Sequence, residues 1–79
     1  MQVVKGMVQV AGVTYRIVRL KRGEYEVIRI LDDSKVGTFK NGPRVETTAH
    51  TVDPTLMREI ARAAIQGAKT SWVGRLTLP

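Results

Sequence analysis

The chain has 79 residues and no cysteine, with 13 basic side chains against 7 acidic ones for a net charge of +6. That length fits a single domain over residues 1–79. Without cysteine, disulfides, cysteine–zinc sites and thiol catalysis are excluded together. The longest apolar run is too short to span a membrane, and no apolar stretch follows a basic start as a signal peptide would require. A cytoplasmic protein is expected. The excess of positive charge suits a polyanionic partner, above all nucleic acid.

The elements follow in chain order. Gly6, Gly12, Gly23, Asp32–Ser34, Asn41–Pro43 and Asp53–Pro54 punctuate the sequence. Between them lie β-branched and aromatic runs at Val3–Val10, Val13–Leu20, Tyr25–Leu31 and Val36–Phe39. Ala11-Gly12, Arg22-Gly23 and Asp33-Ser34 each suit a two-residue hairpin loop, so neighbouring strands should be antiparallel. Residues 45–50, "VETTAH", read either as a fifth strand or as an exposed loop. Asp53-Pro54 then reads as an N-cap followed by proline at the first helical position. A helix is expected over about 54–68, with Leu56, Ile60, Ala63 or Ala64, and Gly67 on its buried stripe. Trp72, Gly74, Leu76 and Leu78 alternate as in an extended segment, with Trp72 closing the core. The predicted fold is α+β: an antiparallel meander of four to five strands packed on one helix, with a C-terminal extended segment.

The second hairpin carries most of the charge. With Arg22-Gly23 as a two-residue loop, Lys21 faces Glu24 and Arg19 faces Glu26, while Ile17, Ile28, Tyr15 and Ile30 share their face. The other face pairs Leu20 with Tyr25, Val18 with Val27, and Arg16 with Arg29. That last pair is like-charged and calls for an anion. A turn at Asp33-Ser34 would set Asp32 against Lys35 and place Thr38 beside Arg29. Two guanidinium forks and a hydroxyl would suit a phosphate; alternatively, Glu46 or Glu59 folds over and neutralises them. If Arg16 faces Met7 across the first hairpin, the pair sits mid-sheet. Apolar residues on both faces of the hairpin, with one helix to cover them, predict a self-association surface and a homodimer.

"YRIVR", "GEYEVIRI", "VGTF" and "REIARAAI" together resemble the AP2-type DNA-binding domain and the related N-terminal arm-binding domains of integrases, over residues 15–39 and 56–65. This chain has an added strand before Val13 and a longer connection between Phe39 and the helix. The resemblance implies a three-stranded sheet laid in the DNA major groove and backed by a helix. It implies DNA contacts for Arg16, Arg19 and Arg29 and a helix-anchoring role for Phe39.

Other candidate residues are sparse. His50 is the only histidine, and no metal site is expected around it. Asp32-Asp33 reads as a turn. "KNGPR" presents Lys40 and Arg44 on a flexible loop suited to a phosphate backbone. Arg58 and Arg62 add a basic strip on the helix. No triad, P-loop, paired-carboxylate cleft or dinucleotide fingerprint is present, so neither catalysis nor a cofactor is expected.

The expected function is a small non-enzymatic module binding DNA or RNA through Arg16, Arg29, Lys40, Arg44, Arg58 and Arg62. Few Asn or Gln side chains lie near that face, so contacts should be salt-dependent and weakly sequence-specific. The rival is a protein-interaction or assembly module of phage or mobile-element type, acting as a homo-oligomer or meeting an acidic protein partner.

Overall fold

A computed structural model describes the backbone of residues 6–77 and the side-chain surroundings of residues 6–67. Five strands and one helix follow in order: β1 (Met7–Val10), β2 (Val13–Lys21), β3 (Glu24–Arg29), β4 (Ser34–Lys40), β5 (Glu46–Ala49) and α1 (Pro54–Thr77). The strands form one antiparallel meander in the order β1-β2-β3-β4-β5. Residues 46–49 are therefore a fifth strand. Its partners on β4 run from Gly37↔Ala49 to Lys40↔Glu46.

The β1–β2 hairpin has the expected register, with Met7 opposite Arg16 and Val10 opposite Val13. Ala11 and Gly12 both take positive φ, at 52° and 80°, as a type I′ loop requires. The β2–β3 hairpin departs from expectation. Of Arg22 and Gly23, only Gly23 has positive φ, so the loop cannot be type I′. Lys21 still faces Glu24, but the ladder then slips at Leu20, and Arg19 faces Tyr25 rather than Glu26. From there Ile17 pairs with Val27, Arg16 with Ile28, and Tyr15 with Arg29.

Magnitudes explain why this register wins. In the unshifted alignment Tyr15 and Ile17 would share a face with Glu26, at the gain of one exposed ion pair worth roughly 0.2–1 kcal/mol. The bulge aligns Tyr15, Ile17, Tyr25 and Val27 on one face and turns both glutamates outward. Burying a single side chain of the Val, Ile or Phe type contributes about 1.5–3 kcal/mol. Ile17 and Tyr15 are 9% and 2% exposed, and Val27 is fully buried.

A second irregularity falls in β4. Val27 faces Gly37, but Ile28 faces Lys35, leaving Val36 as the extra residue. Val36 is fully buried. Its carbonyl accepts from the backbone N–H of His50 at 3.0 Å and of Thr51 at 3.4 Å, and the Thr51 hydroxyl donates to the Lys35 carbonyl at 3.2 Å. The bulge thus anchors the link into α1. The β3–β4 connection is a four-residue turn, Ile30–Asp33, instead of Asp33-Ser34, with Asp33 at φ 58°. Arg29 consequently faces Ser34 rather than Thr38, and Asp32 does not face Lys35.

Helix α1 starts as expected. The Asp53 carboxylate accepts from the Thr55 N–H at 3.2 Å, and its carbonyl accepts the first helical bond from Met57 at 3.0 Å. The buried face is Met57, Ile60, Ala61 and Ala64, the i, i+3, i+4, i+7 pattern of an amphipathic helix. Leu56, Ala63 and Gly67 sit at its margins, half-buried. The helix continues through Thr77, so the extended segment expected after Lys69 is helical over residues 70–77. No proline interrupts the chain between Pro54 and Pro79, and an established helix propagates at little cost. The side chain of Trp72 lies outside the described residues.

The helix packs chiefly on β1 and β5, the two edge strands, and only slightly on β4. A flat sheet would offer its central strands as closely as its edges. The sheet is therefore curled around α1, and Tyr15, Ile17, Val27 and Phe39 fill the space between them. Where α1 does meet β4, Gly37 lies under Met57. A Cβ there would overlap the Thr48 carbonyl oxygen and stand 2.5 Å from Met57 Sδ, so only glycine fits beneath the helix. Gly37→Ala is expected to lower stability by about 1–3 kcal/mol through overpacking. Urea unfolding checks this, with the midpoint falling at unchanged m-value.

Candidate functional site

The register shift separates the residues that the sequence set together. Arg16 and Arg29 are not a pair: Arg16 points from the outer, helix-free face, while Arg29 lies in register with Tyr15 on the helix side. Each finds a carboxylate in the β3–β4 turn. Arg16 Nη2 stands 3.6 Å from Asp33 Oδ1, with both side chains more than half exposed, a weak contact. Arg29 is held firmly. Its Nε donates to Asp32 Oδ1 at 3.0 Å and its Nη2 to Oδ2 at 2.8 Å, the two-point geometry that favours arginine over lysine.

Asp32 also accepts from Ser34, through the backbone N–H at 3.2 Å and the hydroxyl at 2.8 Å. These hydrogen bonds, those from Arg29 first, hold the Asp32 carboxyl well below the usual aspartate range. The same bonds, then the charge of Asp32, raise the pKa of Arg29. The anion that Arg29 requires is supplied by the protein itself, and neither Glu46 nor Glu59 is involved.

Charge cancels similarly along the turn-proximal half of the sheet. Lys35 Nζ lies 3.6 Å from Glu26. Arg16, Arg29 and Lys35 are thereby balanced one for one by Asp33, Asp32 and Glu26.

The opposite end of the sheet differs. It is built from the β2–β3 turn and the β4–β5 loop, residues 41–45, which are joined by a 2.8 Å bond from the Asn41 N–H to the Gly23 carbonyl. Arg22 and Arg44 lie on these loops and Arg19, Lys21 and Lys40 on the strand ends that lead into them, against the carboxylates of Glu24 and Glu46. Glu24 is shared by Lys21 at 3.3 Å and Lys40 at 3.5 Å. Among the described residues, Arg19, Arg22 and Arg44 have no carboxylate within 4.0 Å, and all three are exposed. Five cations against two carboxylates leave this end with three uncompensated positive charges.

Arg58 and Arg62 stand apart from both groups. They are exposed one turn from each other on the solvent side of α1, beside Glu59. The six residues singled out from the sequence therefore fall in three places: Arg16 and Arg29 on opposite faces at the β3–β4 turn, Lys40 and Arg44 at the other end of the sheet, and Arg58 and Arg62 on α1. Arg19 and Arg22 join Lys40 and Arg44. No signal in the sequence sets Arg22 apart: its Arg-Gly turn reads like Ala11-Gly12, which also has one glycine and does take type I′ geometry, and only the structure shows the ladder slipping beside it. Among the described residues, no group of three His, Asp or Glu side chains is arranged to hold a metal, and no helix is long and apolar enough to cross a membrane.

The expected Tyr15, Ile17, Ile28 and Ile30 patch does not form either. Tyr15 and Ile17 are in the core, while Ile28 faces outward and Ile30 lies in the turn. The outer face instead carries Met7 and Leu20, 54% and 53% exposed, with Val18 and Ile28 half-buried between them. Comparison of the chain with protein-family models, curated proteins and solved structures gives no match.

The Arg29–Asp32 pair gives a pH signature. In carboxyl NMR titration, Asp32 is expected to titrate well below the reference value of about 3.9, and Arg29→Ala to return it toward that value. Because the folded value is the lower one, Asp32 adds stability that is fully present above the unfolded value and is lost as pH falls through the folded one. Asp32→Asn should accordingly flatten the acid limb of the stability profile while lowering stability at neutral pH.

Proposed function

We infer that this chain is a small, non-enzymatic, cytoplasmic module that binds nucleic acid, DNA or RNA, through the basic end of its sheet. One observation carries the reading: three cations are balanced one for one by carboxylates at the β3–β4 end of the sheet, whereas five cations meet only two carboxylates at the other end, around two tied loops. A surface of exposed arginines lacking internal partners neutralises phosphates without first breaking ion pairs. Arg29 would have to give up a two-point bond to Asp32. Lys40 and Arg44 keep the role the sequence suggested, Arg19 and Arg22 join them, and Arg58 and Arg62 supply a secondary strip. Arg16 and Arg29 serve the β3–β4 turn.

Fluorescence anisotropy with a labelled oligonucleotide at low and near-physiological salt tests this. Binding is expected to weaken with salt, and Arg22→Ala with Arg44→Ala to reduce the log–log salt slope by about two. Arg16→Ala with Arg29→Ala should leave that slope unchanged. Absence of binding at low salt would sink the proposal.

A second reading, an assembly module, is favoured by the outer sheet face, where Met7 and Leu20 stand exposed and nothing among the described residues covers them. It predicts a homodimer in light scattering that Leu20→Glu dissociates. A monomer at high concentration would remove it.

A further inference from the structure

We propose that the basic end takes single-stranded rather than duplex nucleic acid, with Tyr25 as the platform on which one base stacks. This rests on the nucleic-acid reading above and names the substrate class of that same site.

Four residues lie in register across the last row of the helix-side face, next to the two basic loops: Arg19 on β2, Tyr25 on β3, Phe39 on β4 and Thr47 on β5. Phe39 is 1% exposed and belongs to the core. Tyr25 is only half-buried. The two rings stack with centroids 5.3 Å apart and planes 22° from parallel. Tyr25 is therefore held against a buried ring while the residue keeps part of its own surface exposed. Arg19 is its exposed cross-strand neighbour, and the exposed Arg22 lies at the tip of the same hairpin.

An aromatic ring held in place among arginines is suited to an unpaired base, because stacking uses the face of the base and the cations take the adjacent phosphates. The ring is already ordered by Phe39, so accepting a base costs little further conformational entropy. In a duplex the base faces are covered by their neighbours, and exposing one costs a few kcal/mol. Arginines alone would bind both forms through phosphate. The half-open tyrosine adds a term that only an unstacked strand can use. Since every base has an aromatic face, the platform selects strandedness and leaves sequence open.

The test is anisotropy with an oligo-dT strand, the corresponding RNA strand and a blunt DNA duplex of the same length, at equal salt. The single strands should bind more tightly than the duplex. Tyr25→Leu should weaken single-strand binding by roughly 5- to 100-fold with little change for duplex, and Tyr25→Phe should retain wild-type affinity. The strand comparison on the unaltered protein decides the matter even if Tyr25→Leu unfolds. Duplex binding as tight as single-strand binding, or Tyr25→Leu folded and equally tight on oligo-dT, would overturn the single-strand assignment. If Arg22→Ala with Arg44→Ala still weakened binding in that case, the basic-end reading would survive. Loss of all binding at low salt in the unaltered protein would remove both.

Discussion

The slip of one residue at Leu20 is the constraint on which the rest of the molecule depends. It converts a hairpin whose charges would cancel tidily into one whose large apolar groups share a face. Tyr15, Ile17, Tyr25 and Val27 come onto the helix side, and Glu24 and Glu26 go out. An exposed ion pair contributes tenths of a kcal/mol, whereas each buried side chain contributes a few kcal/mol, so the hydrophobic register prevails. The turn cooperates. With positive φ at Gly23 alone, the loop does not impose the tight geometry that would hold an unshifted ladder.

Two consequences follow for charge. Turning the glutamates outward gives them to lysines, so Glu24 is shared by Lys21 and Lys40, and Glu26 meets Lys35. Moving Arg29 to the opposite face from Arg16 removes their mutual repulsion and sets Arg29 beside Asp32. The turn-proximal half of the sheet becomes neutral. The surplus positive charge of the sheet is left on the loops at the other end, where the Asn41–Gly23 bond draws them together. Segregation of charge is thus a by-product of how the core was assembled.

The second bulge, at Val36, does comparable work for the helix. It offers an unpaired carbonyl to the link after β5 and brings Gly37 directly under Met57. The sheet can then curl until both of its edges reach α1. Curling closes the core on the helix side and leaves the last row, with Tyr25 at its margin, partly open beside the basic loops. The same closure that stabilises so small a domain also sets a stacked aromatic pair next to its unpaired arginines.

Much of the architecture was legible in the sequence. Alternating β-branched runs separated by turn dipeptides gave the meander and its antiparallel order, Ala11-Gly12 gave the first hairpin and its register, and Asp53-Pro54 gave the start of the helix. Each depends on local chemistry: the φ of a turn residue, a cap, the period of a strand. Tertiary structure decided which face each residue of β3 occupies, and hence which arginines are engaged. Period-two alternation is reversed by a single inserted residue, and local pairing alone weighs the Arg19–Glu26 pair of the unshifted hairpin against its Arg16–Arg29 repulsion, two small terms of opposite sign. Only the helix, by requiring one continuous apolar face of the curled sheet, distinguishes between the two alignments. The end of α1 was hidden for a related reason, since β-branched and aromatic residues after Lys69 mimic a strand locally while a helix already under way carries through them. The sequence determined that a basic meander would pack on a helix; the packing alone determined where its unpaired charge would lie.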